Sequence, residues 1–131
     1  MFKVKFYTPE GFYKEVDADI LNVVTTDGER GILTNHMPIV TPLIISKLEI
    51  RLNNKTDIYA ISNGVLNFKD NVAKVIVESI EDKDSIDLKR AEAAKQRALN
   101  RINSNKSSYD IERAKIALNK ALNRIDVFHL K

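Results

Sequence analysis

The sequence has no cysteine and no tryptophan, and only two histidines among its 131 residues. Without cysteine the chain can form no disulfide, no thiolate metal site and no cysteine nucleophile. His36 and His129 lie far apart in sequence, which argues against a metal site built on imidazoles. The longest apolar run, residues 39–45, is interrupted by Thr41 and Pro42 and falls well short of the ~20 residues of a membrane helix. The polar and apolar alternation at the start does not fit a secretory signal, so we expect a soluble intracellular protein.

The sequence also lacks the motifs that indicate an enzyme. Residues 28–31 (GERG) do not have the Gly-Lys-Ser/Thr ending of a phosphate-binding loop. The acidic residues between positions 81 and 87 have neither the spacing nor the central glycine of a calcium loop. No serine has a histidine beside it in the sequence to activate it as a nucleophile. We therefore expect no catalytic residues, no metal site and no obligatory cofactor.

The composition divides the chain into two parts near residue 85. Residues 1–85 carry 10 Lys/Arg and 13 Asp/Glu, a net charge of −3, whereas residues 86–131 carry 11 and 5, a net charge of +6. All four glycines and all three prolines lie in the first part. Because glycine and proline mark turns and break helices, the two parts are expected to differ in fold. We predict an α+β protein with one domain at 1–85 and another at 86–131.

The first part is predicted to be an antiparallel β-sandwich of about 8–10 short strands. Phe2, Val4 and Phe6 alternate with more polar residues, which is the period of a strand with one buried face. Short turn sequences such as Asn63-Gly64 separate the runs that follow. Strands are expected at 2–7, 18–26, 31–33, 39–45, 48–52, 57–62, 65–68 and 72–80, with a turn at 7–11.

The second part is predicted to be a hairpin of two antiparallel helices. Asp84 and Ser85 are expected to cap a helix that begins at Ile86 and runs to Ile102, with Asp87 in its first turn. Strong helix formers fill this stretch. The polar sequence 103–108 then interrupts it, and a second helix is expected from residue 109 or 110 to 128.

An internal repeat links the two predicted helices. Residues 89–102 align with residues 112–125, and eight of the fourteen positions are identical. Spacings of seven and four residues bring side chains back to one helical face, which places a cationic stripe on each helix and a mostly alanine seam beside it. The stripes are Arg90, Arg97 and Arg101, and Arg113, Lys120 and Arg124; the seams are Ala91, Ala94, Ala98 and Ile102, and Ala114, Ala117, Ala121 and Ile125.

Two interpretations of these stripes stay open from the residues alone. They are either solvated faces, or sites for a carboxylate or phosphate partner, which the planar fork of arginine suits. An alanine seam buries little apolar area, at ~25 cal/mol per Å², so the hairpin is expected to be only marginally closed. Nucleic-acid binding is a weaker alternative, because the helical part has only Tyr109 and Phe128 as aromatics and acidic residues dilute its arginines.

Several segments resemble the epsilon subunit of the bacterial F-type ATP synthase. Residues 28–38 (GERGILTNHMP) resemble the family segment G-E-x-G-I-x-P-x-H-x-P, and residues 61–66 (ISNGVL) resemble its S-G-G hairpin. Residues 86–91 (IDLKRA) match the family motif I/L-D-x-x-R-A, and residues 113–124 match its second helix. The resemblance covers the whole chain in order.

The resemblance implies a non-catalytic subunit of the central stalk, or rotor, of an enzyme that couples ATP synthesis to proton transport. The implied partners are the gamma subunit, the ring of c subunits, and the alpha and beta subunits. The β domain would dock, with Glu29 and His36 facing the c ring, and the hairpin would inhibit ATP hydrolysis by extending into the alpha-beta hexamer. The implied location is the cytoplasmic face of the bacterial cell membrane, peripherally, as part of the complex.

The resemblance also implies a regulatory ATP site on the closed hairpin of some family members. Carried over by position, its residues would be Glu81, Ile86, Asp87, Arg90, Ala91, Arg97, Lys120 and Arg124. Lys120 stands where ATP-binding members often have arginine. Three functions therefore remain: a stalk subunit with a mobile, ATP-sensing hairpin, a static stalk module that binds no nucleotide, and a basic nucleic-acid adaptor.

Overall fold

A computed structural model of the chain describes residues 1–104 and 108–130. It contains two compact units, Met1–Asp82 and Lys83–Lys131. The first unit consists of strands joined by tight turns. These are β1 (Phe2–Thr8), β2 (Gly11–Ala18), β3 (Ile20–Thr25), β4 (Gly28–Leu33), β5 (Ile39–Leu43), β6 (Ser46–Leu52), β7 (Lys55–Ile61), β8 (Gly64–Lys69), β9 (Val72–Val77) and β10 (Ile80–Asp82).

The strands form one continuous sheet in the described part of the chain. Nine of them follow the order β10-β7-β6-β3-β5-β8-β9-β1-β2, and β4 pairs with β3. Neighbouring strands are antiparallel except for β1 and β9, which are parallel. The expected β-sandwich of about 8–10 short strands followed by two helices is confirmed, with this parallel pair as the departure from an all-antiparallel sheet.

Alternating apolar residues from most strands form the core of the first unit. In β1 the side chains of Phe2, Val4 and Phe6 are buried, as the sequence period predicts. Two aromatic pairs join distant strands: the ring centroids of Phe6 and Tyr59 are 5.1 Å apart, and those of Phe2 and Phe68 are 5.4 Å apart. These pairs connect β1 to β7 and β8, and so hold together strands that are far apart in sequence.

Strand β2 is a departure from the sequence prediction, which has no strand between residues 11 and 18. Its sequence, GFYKEVDA, does not alternate clearly, and of its residues only Ala18 is buried. It forms nevertheless because it pairs along its length with β1, from Phe2 opposite Ala18 to Thr8 opposite Gly11. As an edge strand, β2 is held mainly by backbone hydrogen bonds rather than by apolar burial.

The second unit begins with a single 3-10 turn at Lys83–Ser85 and contains helices α1 (Leu88–Asn103) and α2 (Ser108–Phe128). The predicted cap at Asp84 and Ser85 is wrong. Asp87 is the N-cap, because its backbone is extended and its Oδ1 accepts a hydrogen bond from the Arg90 N–H at 3.2 Å.

At the other end of α1, the Ser104 hydroxyl and N–H both donate to the carbonyl of Arg101. The predicted break at 103–108 falls partly on residues 105–107, which lie outside the described residues.

The two helices pack against each other through alanines. Ala91 and Ala98 of α1 and Ala114 and Ala121 of α2 are each no more than 2% exposed. The predicted seam is too wide, since Ala117 is exposed and Ala94, Ile102 and Ile125 are only partly buried. The fully buried alanines of each helix are seven residues apart, a separation of about two helical turns.

Candidate functional site

Glu29 lies on β4 in a groove that contains charges of both signs. Strand β4 runs beside β3, with Glu29 opposite Val24. Within the described residues Lys47 pairs with Glu49 at 3.3 Å, whereas Arg30 and Arg51 form no ion pair. The groove, of about 340 Å³, is lined by Asn22, Val23, Val24, Glu29, Arg30, Gly31, Lys47, Glu49 and Arg51. The guanidinium groups of Arg30 and Arg51 could bind an acidic group of a partner, and the Glu29 carboxylate could bind a cationic one.

His36 lies in the loop of residues 34–38, which connects β4 to β5. Its backbone N–H donates to the Leu33 carbonyl at 3.1 Å, and its ring meets the ring of Phe68 edge to face, with centroids 5.8 Å apart. Its Nδ1 is 2.7 Å from the carbonyl oxygen of Met37. Because a carbonyl oxygen only accepts, Nδ1 carries the proton, and in the neutral ring Nε2 is an acceptor.

Two asparagines hold the 34–38 loop against the turn between β8 and β9. The Asn35 N–H donates to Asn71 Oδ1 at 2.7 Å, and Asn71 Nδ2 donates to Asn35 Oδ1 at 2.9 Å. Both residues have a left-handed backbone, with φ of 66° and 59°. The sequence indicates a turn at each position, but no local pattern reveals that residues 36 positions apart are paired.

The predicted ATP-binding residues are divided between the two units. Glu81 lies on β10, in the first unit, whereas the other seven lie in the second. Ile86 and Ala91 are buried apolar residues, and the Asp87 carboxylate already accepts the capping hydrogen bond. Arg90 and Arg97 are exposed on α1, and Lys120 and Arg124 are partly buried on α2.

All six residues of the predicted cationic stripes lie within the helices, three on α1 and three on α2. On an α-helix, positions separated by seven and then four residues point in nearly the same direction. Arg90, Arg97 and Arg101 therefore share a face of α1, where all three are exposed. Several acidic side chains lie on the same helices, and one pair, Lys115 and Glu112, is 3.6 Å apart. The arginine-rich faces can bind polyphosphate or carboxylate groups.

Two kinds of feature are absent from the described residues. Among residues 1–104 and 108–130, no cluster of three or more acidic or histidine side chains could hold a metal ion. Over the same residues, neither helix has a stretch that is long and apolar enough to cross a membrane.

Comparison with protein-family models gives two matches that together span nearly the whole chain. Residues 1–83 match the β-sandwich domain of the ATP synthase delta/epsilon chain, and residues 84–128 match its long α-helix domain. The chain is 40% identical over 106 residues to the ATP synthase epsilon chain of Lactobacillus helveticus, covering 78% of this chain and 73% of that one. It is 37% identical over 104 residues to that of Alkalihalophilus pseudofirmus, covering 79% and 78%.

Two solved structures with the same fold come from mitochondrial ATP synthases. A chain in the Euglena gracilis complex, described as OSCP/F1/c-ring, superposes with a TM-score of 0.81 at 23% identity, covering 96% of this chain and 80% of that one. A chain in the central stalk and c-ring of the Tetrahymena thermophila enzyme superposes with a TM-score of 0.66 at 15% identity, covering 96% and 95%. At these identities the likeness establishes the fold.

Proposed function

The chain belongs to the ATP synthase delta/epsilon family, as an epsilon subunit of the F-type enzyme, and on that premise we propose that it is a central-stalk subunit whose helical hairpin regulates ATP hydrolysis. As a family member it is a non-catalytic part of a complex that couples ATP synthesis to proton transport. Its proposed partners are gamma, the c ring, and alpha and beta. Its proposed place is the cytoplasmic face of the bacterial membrane, held peripherally through the complex.

The first unit, Met1–Asp82, is called the β unit from here on, and it is the proposed docking part. Glu29 and the 34–38 loop come from one continuous stretch, β4 and the connection that follows it, so a single partner surface could engage both. The loop is held by the hydrogen bonds between Asn35 and Asn71 and by the contact of the His36 ring with Phe68. A surface fixed before binding loses less entropy on association, which suits a contact that has to transmit rotation.

The observation that carries the regulatory proposal is the alanine interface between α1 and α2. Of the five described side chains that are fully buried in the two helices, four are alanine methyl groups, each of which contributes far less burial than a leucine would; the fifth is Val127. Cationic residues on both helices add mutual repulsion when they are not neutralised. A helix pair held so weakly can exchange a closed arrangement for an extended one in which its arginines meet acidic segments of the beta subunits.

ATP is the proposed ligand of the closed hairpin, through Asp87, Arg90, Arg97, Lys120 and Arg124. A ligand shifts such an equilibrium only by binding one arrangement better than the other. At a concentration 100 times its Kd, it stabilises the binding arrangement by about 2.7 kcal/mol. That is enough to reverse a marginal preference, so abundant ATP would keep the hairpin closed and scarce ATP would release the inhibitor.

The regulatory role is tested by removing residues 86–131 and assaying the reassembled ATP synthase. The truncated subunit should still support coupled ATP synthesis, because the β unit retains its own core, while ATP hydrolysis should rise. Hydrolysis that stays inhibited to the same extent would reject the regulatory role and favour a static stalk module.

The ATP site is tested by titrating the isolated chain with ATP and following the backbone amide signals of residues 87, 90 and 124. Saturable shifts are expected in the wild type, and they should be lost in Arg90→Ala. Lys120→Arg should tighten binding, because arginine adds a two-pronged contact to phosphate. Lys89→Ala, outside the proposed set, is the matched control. The absence of any shift in the wild type would reject the site.

A further inference from the structure

We propose that Asn71 is a positioning residue that holds the 34–38 loop so that His36 presents its Nε2 as an acceptor to a hydrogen-bond donor of the partner. This inference rests on the proposed function, in which the loop docks on the c ring. It adds to that proposal a residue outside the loop and the chemistry of the group that His36 contacts.

The first step of the argument is the way the loop is anchored. Asn71 makes three hydrogen bonds: its side chain makes both of the bonds with Asn35, and its backbone carbonyl accepts from the Lys3 N–H at 3.1 Å. One residue thereby connects the loop to both β1 and the turn between β8 and β9. Asn35 directly precedes His36, so the bonds that fix the backbone of Asn35 also fix the position of the His36 backbone.

The second step concerns the orientation of the imidazole ring. Phe68 contacts it on one side, and Nδ1–H donates to the Met37 carbonyl. Phe68 is itself buried on β8, the strand that leads into the turn containing Asn71. The ring is thus held by two contacts that depend on the loop staying beside this turn.

The third step is the remaining ring nitrogen. Within the described residues Nε2 has no hydrogen-bond partner, and it is not among the buried polar atoms that lack one. With the proton held on Nδ1, the neutral ring offers at Nε2 an accessible lone pair in a fixed direction. The partner group that matches it is a hydrogen-bond donor, such as an arginine, a backbone amide or a hydroxyl.

The test compares two glycine substitutions in the full-length chain. Asn71→Gly removes the side-chain bonds to Asn35, while glycine accepts the left-handed backbone without strain. Asn54→Gly is the matched control, because Asn54 has a φ of 65° in an equivalent turn and its side chain makes no hydrogen bond in the described structure. A third variant, His36→Phe, keeps a ring against Phe68 but has no Nε2.

Three measurements are made on each variant: the amide exchange rate of residue 35, the ring nitrogen shifts of His36, and the Kd for purified, detergent-solubilised c ring. In Asn71→Gly we expect exchange to quicken at least tenfold, the distinct Nδ1–H and Nε2 signals to average, and Kd to rise roughly five- to tenfold. Asn54→Gly should match the wild type in all three measurements. His36→Phe should weaken binding by at least as much as Asn71→Gly does.

The outcomes separate this inference from the docking function. If His36→Phe weakens binding but Asn71→Gly does not, the loop docks without the asparagine and the inference is wrong. If neither variant changes Kd, the loop does not dock on the c ring, and both the docking proposal and this inference are wrong. Wild-type ring nitrogen shifts that place the proton on Nε2 would overturn the assignment of His36 as an acceptor.

Discussion

Lys14 and Asp82 bring together the two ends of the sheet. Nζ of Lys14, on β2, lies 3.5 Å from Oδ2 of Asp82, on β10, and these are the first and last strands of the nine-strand order. The same ammonium group lies over the ring of Tyr59, 5.2 Å from its centroid. Asp82 is also the last residue of the β unit, so the contact fixes the point at which the chain leaves the sheet.

Lys14→Met should lower the free energy of unfolding of the β unit by about 1–2 kcal/mol. The change removes a partly exposed ion pair and a cation–π contact, each worth up to ~1 kcal/mol. Urea unfolding followed by tyrosine fluorescence measures it. Lys5→Met is the matched control, because it breaks only a 3.8 Å pair with Glu15 of similar exposure, and it should cost under ~0.5 kcal/mol. Equal losses in the two variants would show that Lys14 has no special role.

The stability of the β unit should fall as the pH rises above 10. Burial of Tyr59 raises the pKa of its phenol above the ordinary 10.0, although the Lys14 ammonium opposes part of this effect. Burial alone would lower the pKa of Lys14, but Tyr59 and Asp82 raise it above 10.5 overall. Both groups hold their protons more tightly in the folded state. Their contribution to the free energy of unfolding is therefore complete below their pKa values in the unfolded chain, and it is lost as the pH rises through their pKa values in the folded protein.

This alkaline loss is measured by urea unfolding at several pH values between 8 and about 11.5. In Tyr59→Phe the free energy of unfolding should decline less steeply, since one of the linked groups is gone. Phenolate absorbance should likewise lose one late-titrating component in that variant. A decline of identical slope in wild type and variant would exclude Tyr59 as a source of the pH dependence.

The parts of the fold that the sequence predicted are those with a local signal. Strand β1 alternates strictly, and α1 is filled with helix formers and ends near its polar stop. The sequence of strand β2 has no such signal. The strand forms because it pairs with β1. The start of α1 was wrong by two residues, since Asp84, Ser85 and Asp87 are all good caps and only the backbone decides among them.

In the candidate site, too, the sequence predicts the features that have a local signal and misses those that depend on tertiary contacts. The cationic stripes follow from helical spacing, so the sequence predicts them residue by residue. The bond between Asn35 and Asn71 depends on the sheet bringing two turns together, and the tautomer of His36 depends on where the Met37 carbonyl points. Such contacts are set by tertiary structure, which is why a motif names His36 but not the residue that positions it.

Ala98→Leu should loosen the hairpin. Ala98 is 2% exposed between α1 and α2, so three further carbon atoms have no room unless the helices separate, at a cost of about 1–3 kcal/mol. Hydrogen exchange should show faster exchange of the α1 amides, while the β unit keeps its protection. Ala93→Leu, at an exposed position of the same helix, should leave exchange unchanged. Unaltered α1 protection in Ala98→Leu would show that the interface is not tightly packed.

Gly64→Ala should destabilise the β unit severely, by roughly 3 kcal/mol or more. A methyl group there would lie 2.0 Å from the carbonyl oxygen of Ile76, and this backbone atom of β9 cannot move without breaking the pairing of β8 and β9. Gly31→Ala is the matched control, because its methyl group would meet only the movable end of the Asn22 side chain, at 3.1 Å, and its cost should stay below ~1 kcal/mol. Thermal unfolding of both variants decides the matter: if Gly64→Ala melts within a few degrees of Gly31→Ala, then β8 and β9 can separate at this point without loss of the sheet.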